Sequence, residues 1–398
     1  MKILQINCVY AIGSTGKIVE DISAYCMENG DVVLNLFGRQ GKRLNSSVIK
    51  ISSELEAKVH SILSRLTGVE FGYSYFATKR AVEIIKSYKP DVVHLHCLNG
   101  HFINVFNLLN YLKENNIPTV LTLHAEIMHT AGCEHAYECT KWIKGCYKCD
   151  VVKGKITCHL RDDAEYSYKK MQEAFDGFTN LTVVGVSDWL TNRAKRSAIF
   201  KNAQSDFITI ENGLDLKSFS PTKLMDNPLK CEFDNESPII LHVTPNFQHP
   251  LKGGKYVLEL AEKHPEWTFI IVGYNGEENL PPNVRVVSHV HSKKELSYYY
   301  SLASVTLLTS KRETFSMVCA ESLACGTPVV GFEAGGPESV FIGDVATFVT
   351  HGDISKLESA VQDMLLRKPM VNTASINERF ASSKMAQRYK DIYENIKR

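Results

Sequence analysis

Short apolar, β-branched runs at residues 3–8, 32–37, 92–97, 119–123, 182–186 and 207–210 alternate with stretches of helical periodicity through the first half of the chain. Such alternation predicts parallel strands joined by crossover helices, a doubly wound α/β sheet and not a sandwich or a bundle. A polar segment containing Pro221, Asn227, Asp234 and Pro238 then reads as a linker. The pattern restarts at Ile239 and continues to about Val349, so the sequence predicts two such domains, and 398 residues suffice to give each a core.

The densest chemistry lies in residues 310–340, SKRETFSMVCAESLACGTPVVGFEAGGPESV. A buried strand at 304–308 delivers the loop 309–314, a helix follows at 315–325 and stops at Gly326 and Pro328, and 327–331 reads as the next parallel strand. Ligands of such units lie beyond the carboxyl ends of the strands, where a helix amino terminus offers N–H groups and partial positive charge to a phosphate. Glu313 precedes that helix and Glu321 lies within it. Carboxylates beside an anion site repel the anion, so their presence calls for a further ligand. Sugar hydroxyls fit, because one carboxylate accepts two of them. Glu313 then holds a hexose and Glu321 a ribose, with a diphosphate between them on the backbone. The plainer alternative makes Ser310 and Glu313 a capping box and Glu321 a solvated helix residue.

Glu313, Glu321, the small-Gly-x-Pro-Val run at 325–329 and the loop of Gly335, Gly336 and Glu338 occur in one order. This succession resembles the retaining GT-B glycosyltransferases of the glycogen-synthase-like, Glu-x7-Glu kind, including those of bacterial capsule and O-antigen polysaccharide biosynthesis. The likeness runs along nearly the whole chain. It implies two Rossmann-like doubly wound parallel-sheet domains facing a cleft. Residues 1–222 would form the acceptor-side domain with a Cys-rich insertion at 129–158, residues 223–375 the nucleotide-sugar-binding domain, and 376–398 a helix crossing back to the first. It also implies donor contacts at Phe315, Ser316, Met317, Glu321, Gly335, Gly336 and Glu338, with Glu313 positioning the donor sugar.

The remaining candidates follow in chain order. Gly13 and Gly16 enclose too few residues for a P-loop, and Ile18 follows Lys17 where Ser or Thr is required. What remains is a small-residue turn opening a helix, and Gly13, Ser14 and Gly16 match the family's amino-terminal glycine loop. His124 ends the apolar strand 119–123, a placement that aims a polar side chain at the ligand. In the family the matching His lies against the donor sugar near the reacting carbon. His94 and His96 share one face of the preceding strand and read as structural. Lys252, in a Lys-Gly-Gly turn before a helix, can neutralise the donor diphosphate as its glycosidic bond breaks. Many members carry an Arg where this chain has Thr244, Pro245 and Asn246. Asn246 is therefore kept as a donor-side position, with Arg312 or Lys255 as substitute cations, and Val290 falls in the loop that meets the nucleotide base.

Cys133, Cys139, Cys146 and Cys149 lie within 17 residues, the last two as C-x-x-C. Four thiolates at such spacing can close a tetrahedral structural zinc site and stiffen a long loop; packed thiols and a redox or disulfide role stay open beside it. Lys141, Lys144, Lys148, Lys153 and Lys155 make the stretch basic, which suits a solvated face, an acceptor diphosphate or an acidic membrane surface. Eleven cysteines without a secretion-type start point to reduced thiols or metal ligands and to a cytoplasmic protein, peripheral at the inner face of the membrane at most. The balance of 45 basic and 44 acidic residues gives no global argument for nucleic acid.

The implied reaction is metal-independent retaining hexosyl transfer, needing no catalytic cofactor, from a nucleotide diphosphosugar to a growing glycan or lipid-diphosphate-linked oligosaccharide. Two rivals stand: a nucleotide-sugar epimerase, which lacks the Glu-x7-Glu element, and a non-catalytic adaptor that only binds sugar nucleotide.

Overall fold

The computed structural model describes residues 1–41, 46–149, 160–222, 237–276, 279–288, 290 and 292–396. Lys153, Lys155, Asn227 and Asp234, with the end of the insertion and most of the linker, lie outside them. The chain divides into two compact units, residues 1–211 with 385–398, and residues 212–384.

The first unit is built on seven parallel strands, β1 (Lys2–Asn7), β2 (Val32–Phe37), β3 (Val48–Lys50), β4 (Val92–Leu95), β5 (Thr119–Leu123), β6 (Leu181–Gly185) and β7 (Ser205–Thr209), in the order β3-β2-β1-β4-β5-β6-β7. Between them run α1 (Gly13–Glu28), α2 (Glu54–Thr67), α3 (Tyr75–Tyr88), α4 (Val105–Glu114), α5 (Ile127–Thr130), α6 (Ala164–Phe175) and α7 (Asp188–Arg196). The second unit has six parallel strands, β8 (Ile239–Val243), β9 (Thr268–Val272), β10 (Val284–Val287), β11 (Val305–Leu308), β12 (Val329–Phe332) and β13 (Ala346–Val349), in the order β10-β9-β8-β11-β12-β13. Its helices are α8 (Gly254–Lys263), α9 (Lys293–Leu302), α10 (Met317–Ala324), α11 (Pro337–Val340), α12 (Ile354–Arg367) and α13 (Thr373–Phe380), and α14 (Ser382–Ile396) closes the chain. Both units are Rossmann-like, because each strand order reverses once, at β1/β4 and at β8/β11.

All six runs expected in the first half form strands, with no end displaced by more than two residues. The edge strand β3 was not anticipated, since Val-Ile-Lys is too short to register as a run. Strands β4 and β5 are buried at every position, as a parallel sheet covered on both faces requires, and this is why they read as continuous apolar runs.

One face of the first sheet positions chemistry. Its amino-terminal half is apolar: Ile3, Val33, Val92 and Val120 pack with Ile18 and Ile22 of α1 and with Met385, Tyr389 and Ile392 of α14. Each such side chain contributes roughly 2 kcal/mol by leaving water. Two residues further along, the same face turns polar and stays buried, with Gln5, Asn35, His94 and Thr122. Register places Gln5 opposite Asn35 on one side and His94 on the other.

Burial lowers the imidazoles of His60, His124 and His242 to about 4 and holds those of His94 and His96 well below the ordinary value. The unfolded chain takes up these protons near pH 6.5, so between pH 6.5 and 4 it binds more protons than the native one and stability falls as pH falls. Glu321, raised to about 7 by burial, opposes this between pH 7 and 4.5, but it is one group against five. The melting temperature should therefore drop between pH 7 and pH 5 in a thermal scan, and an unchanged or rising value would contradict the assignment of neutral buried histidines.

Candidate active site

In the second unit, β8 and β11 are hydrogen-bonded neighbours at the point where the strand order reverses. Residues 244–253 leave the carboxyl end of β8 and residues 309–316 that of β11. The two loops are tied together: the Thr309 hydroxyl donates to the Lys252 carbonyl at 2.8 Å, and the Lys311 N–H donates to the Leu251 carbonyl at 2.8 Å. Only glycine fits after Lys252, because Gly253 has φ +72° and a Cβ there would lie 2.2 Å from the Thr309 carbonyl oxygen. Lys252 Nζ thereby stands 2.8 Å from Glu313 Oε1. Their side chains are 32% and 23% exposed, so the pair contributes at most about 1 kcal/mol to stability; its consequence is where it puts the charges.

The Glu313 backbone is pinned to the glycine loop. Its N–H donates to the Ala334 carbonyl at 3.0 Å and its carbonyl accepts the Gly336 N–H at 2.9 Å. Glu338, expected among the donor contacts, accepts the N–H groups of Ala334 and Gly335 at 3.0 and 2.7 Å, so its carboxylate shapes this loop from within.

Helix α10 begins at Met317, two residues later than the sequence suggested. Ser316, at φ +77°, accepts the Cys319 N–H at 3.3 Å as N-cap, leaving the amides of the first turn without intrahelical acceptors. Phe315 is buried against Phe341 and Phe380, so its ring is core and only its backbone can meet a ligand. Glu321, half-buried one turn on, accepts the Tyr300 hydroxyl at 2.9 Å. Asn246 is an exposed turn residue whose carbonyl accepts the His249 N–H, and Val290 is half-buried. Of the substitute cations, Arg312 reaches the Ala334 carbonyl at 3.5 Å, whereas Lys255 lies over the Tyr256 ring.

In the first unit, α1 opens at Gly13, at φ +63°, and the Ala11 N–H donates to the Gly16 carbonyl at 3.1 Å; Ser14 is exposed. His124 follows the last residue of β5 and is half-buried. Its Nε2 lies 3.3 Å from Nδ1 of His96, with the rings stacked at 5.6 Å. Alternation placed His96 on a buried face, but only the pairing of β4 with β5 puts it beside His124.

Cys133, Cys139, Cys146 and Cys149 are all half-buried, and burial together with the nearby Cys133, Cys139 and Cys149 pushes the Cys146 thiol up to about 12. Among the described residues no group of three or more His, Cys, Asp or Glu side chains is placed to hold a metal ion. Trp142 anchors the insertion. It is 1% exposed, its Nε1–H donates to the Cys139 carbonyl at 2.7 Å, and the Arg193 guanidinium lies over its ring at 4.6 Å. Arg193 also meets Glu126, whose other carboxylate oxygen accepts the Ala136 N–H at 2.8 Å. Despite its burial Glu126 is lowered to about 2, since Arg193, His129 and the Ala136 amide outweigh desolvation. A buried carboxylate two residues beyond His124 thus clasps the insertion to α7, which the sequence did not suggest.

These two units and their loops are the architecture of the GT-B glycosyltransferases. The structure is similar over 99% of this chain and 98% of the other to sucrose-phosphate synthase from Thermosynechococcus elongatus, with TM-score 0.67 at 16% identity. It is also similar to Anabaena HepE, solved with UDP-glucose, over 99% and 100% of the two chains, with TM-score 0.63 at 14% identity. In sequence it is 33% identical to N-acetyl-alpha-D-glucosaminyl L-malate synthase of Bacillus anthracis, covering 99% of this chain and 97% of that one. The D-inositol 3-phosphate glycosyltransferase of Xylanimonas cellulosilytica is 28% identical across 35% of this chain and 38% of its own length. Residues 229–379 match the family described as glycosyl transferases group 1. The chain belongs to that family and is a glycosyltransferase.

A Cβ at Gly336 would lie 2.1 Å from the Thr314 carbonyl oxygen. Gly336→Ala should therefore displace the loop and cost about 1–3 kcal/mol in stability. Thermal unfolding checks this, and an unchanged melting temperature would show that the loop yields freely.

Proposed function

We propose that the chain is a retaining, metal-independent hexosyltransferase that moves a sugar from a nucleotide diphosphosugar to a growing glycan or lipid-linked oligosaccharide of a surface polysaccharide. The observation that carries this reading is the Lys252–Glu313 pair beside the amino terminus of α10, a cation, an anion and a row of N–H donors at the carboxyl ends of β8 and β11. A nucleotide diphosphosugar needs all three. Its diphosphate competes for Lys252 and the helix terminus, which stabilise the negative charge that grows on the leaving oxygen. Glu313, released from Lys252, accepts hydroxyls of the donor sugar, and Glu321 those of the ribose. The departing phosphate takes the acceptor's proton on the same face of the sugar, which retains configuration. Fixed charges do the work a divalent cation does elsewhere. The UDP-glucose complex of the Anabaena neighbour and the glucosaminyl transfer named for the Bacillus relative support the donor class.

Incubation with a panel of nucleotide sugars tests the reading. Slow release of nucleoside diphosphate is expected; isomerised sugar would make the chain an epimerase, and binding without turnover an adaptor. L-Malate and inositol phosphate belong among the acceptors tried, because two relatives are named for such products. Glu313→Gln should lower turnover on the order of 100-fold with little change in melting temperature, as loss of a transition-state interaction does. Glu321→Ala should weaken nucleotide binding. Parent rates in both variants would place the donor site elsewhere.

A lipid-linked acceptor implies work at the inner face of a membrane. No helix among the described residues is long and apolar enough to cross one. Helix α2 offers a peripheral alternative: Leu55, Val59, Ile62 and Leu66 form an exposed row along it, flanked by exposed Lys58 and Arg65. The protein should sediment with vesicles containing phosphatidylglycerol more than with phosphatidylcholine alone, and Ile62→Glu should reduce that binding. Equal recovery with both vesicles would leave a soluble acceptor as the better reading.

A further inference from the structure

The environment of His124 fixes more than its position. A backbone carbonyl can only accept a hydrogen bond. The side-chain amide of Gln5 turns one atom toward the Val19 carbonyl at 3.2 Å, and the same atom lies 2.7 Å from Ser23 Oγ and 3.2 Å from Asn35 Oδ1. That atom must be the NH2 nitrogen, so Oε1 is the atom facing His96 Nε2 at 3.0 Å. An amide oxygen only accepts, and His96 Nε2 therefore carries a hydrogen. His96 is 1% exposed, its ring centroid lies 3.8 Å from that of His94, and its neighbours among the hydrogen bonds are neutral, so it is the uncharged imidazole, with a bare Nδ1. That lone pair faces His124 Nε2 at 3.3 Å, and a hydrogen on His124 Nε2 is what satisfies it.

His94 repeats the pattern beside it. The Thr122 hydroxyl donates to Tyr389 at 3.1 Å, so it accepts from His94 Nε2 at 2.8 Å, and His94 Nδ1 accepts the Tyr393 hydroxyl at 2.6 Å. The tyrosines belong to α14, and this second set of bonds holds β4 and β5 in the register that the first set uses.

We propose that Gln5 and His96 are positioning residues that hold His124 in a single tautomer, protonated at Nε2, so that its Nδ1 meets a sugar hydroxyl as a hydrogen-bond acceptor. This rests on the reading of His124 as a residue of the transfer site. The chain Gln5–His96–His124 runs along one face of the sheet, from beneath α1 to the end of β5, and lies wholly within the first unit. It gives a physical reason for a buried amide in β1 and for histidines just beyond the ends of β4 and β5. An Nδ1-protonated His124 would set its unprotonated Nε2 against the bare Nδ1 of the buried His96, two lone pairs with no hydrogen between them.

The test is nitrogen-15 NMR of the histidine rings in the intact protein at pH 7.5, with His124 assigned by its loss in His124→Gln. The expected pattern for His96 and His124 is neutral with the proton on Nε2. A proton on Nδ1 of His124, or a charged ring, overturns the proposal whatever the enzyme's activity. His96→Leu removes the acceptor and should release His124 into a mixture of tautomers and lower kcat roughly 10-fold, with little effect on the KM for donor. His96→Asn, which places an amide oxygen near the position of Nδ1, should restore the single tautomer and recover much of kcat. Should His96→Leu fail to fold, the parent spectrum and His96→Asn decide the matter alone. A folded His96→Leu with parental kcat overturns the positioning role. Loss of turnover in the parent against all donors would defeat the transferase reading and leave the tautomer assignment intact.

Discussion

A parallel sheet covered by helices on both faces has little room for polar groups except at the carboxyl ends of its strands, and both sheets of this protein are organised by that restriction. Where the strand order reverses, neighbouring loops leave in opposite directions and open a crevice. At β8/β11 the opening is framed by the Lys252 turn and the Glu313 loop, and the Thr309 hydroxyl bonded to the Lys252 carbonyl sets the spacing between them. Everything assigned to the donor depends on those two loops being held in step.

The charges in this site are arranged in competition. Lys252 and Glu313 neutralise one another in the absence of ligand, which spares each the cost of lying unpaired in a partly buried place. On the function proposed above, a ligand that brings both an anion and hydroxyl donors satisfies them separately. Glu321 is set apart from this exchange: burial raises its carboxyl to about 7, and it accepts a tyrosine hydroxyl, a donor of the same kind that a ribose offers.

The cysteine-rich insertion is held by more than its cysteines. A single tryptophan, sandwiched under an arginine that is itself neutralised by a buried glutamate, supplies the anchor. The price of burying Glu126 and Arg193 is met by their bonds to each other and to the Ala136 amide.

The sequence by itself determined the fold class and the two-domain plan, because strands buried on both faces must be continuous apolar runs and helices between them must be periodic. It also marked Glu313, Glu321, Lys252 and His124 as candidates, since each sits just beyond or within an element whose end the pattern marks. The tertiary structure alone decided which of these groups meet. Nothing in the spacing of Lys252 and Glu313, 61 residues apart, announces an ion pair, and nothing local distinguishes Glu338 as a loop brace from Glu338 as a ligand. The same holds for Gln5, His96 and His124. They lie on or just beyond different strands, and their alignment depends on the register of β1 against β4 and of β4 against β5, a property of backbone pairing that no single stretch of sequence carries.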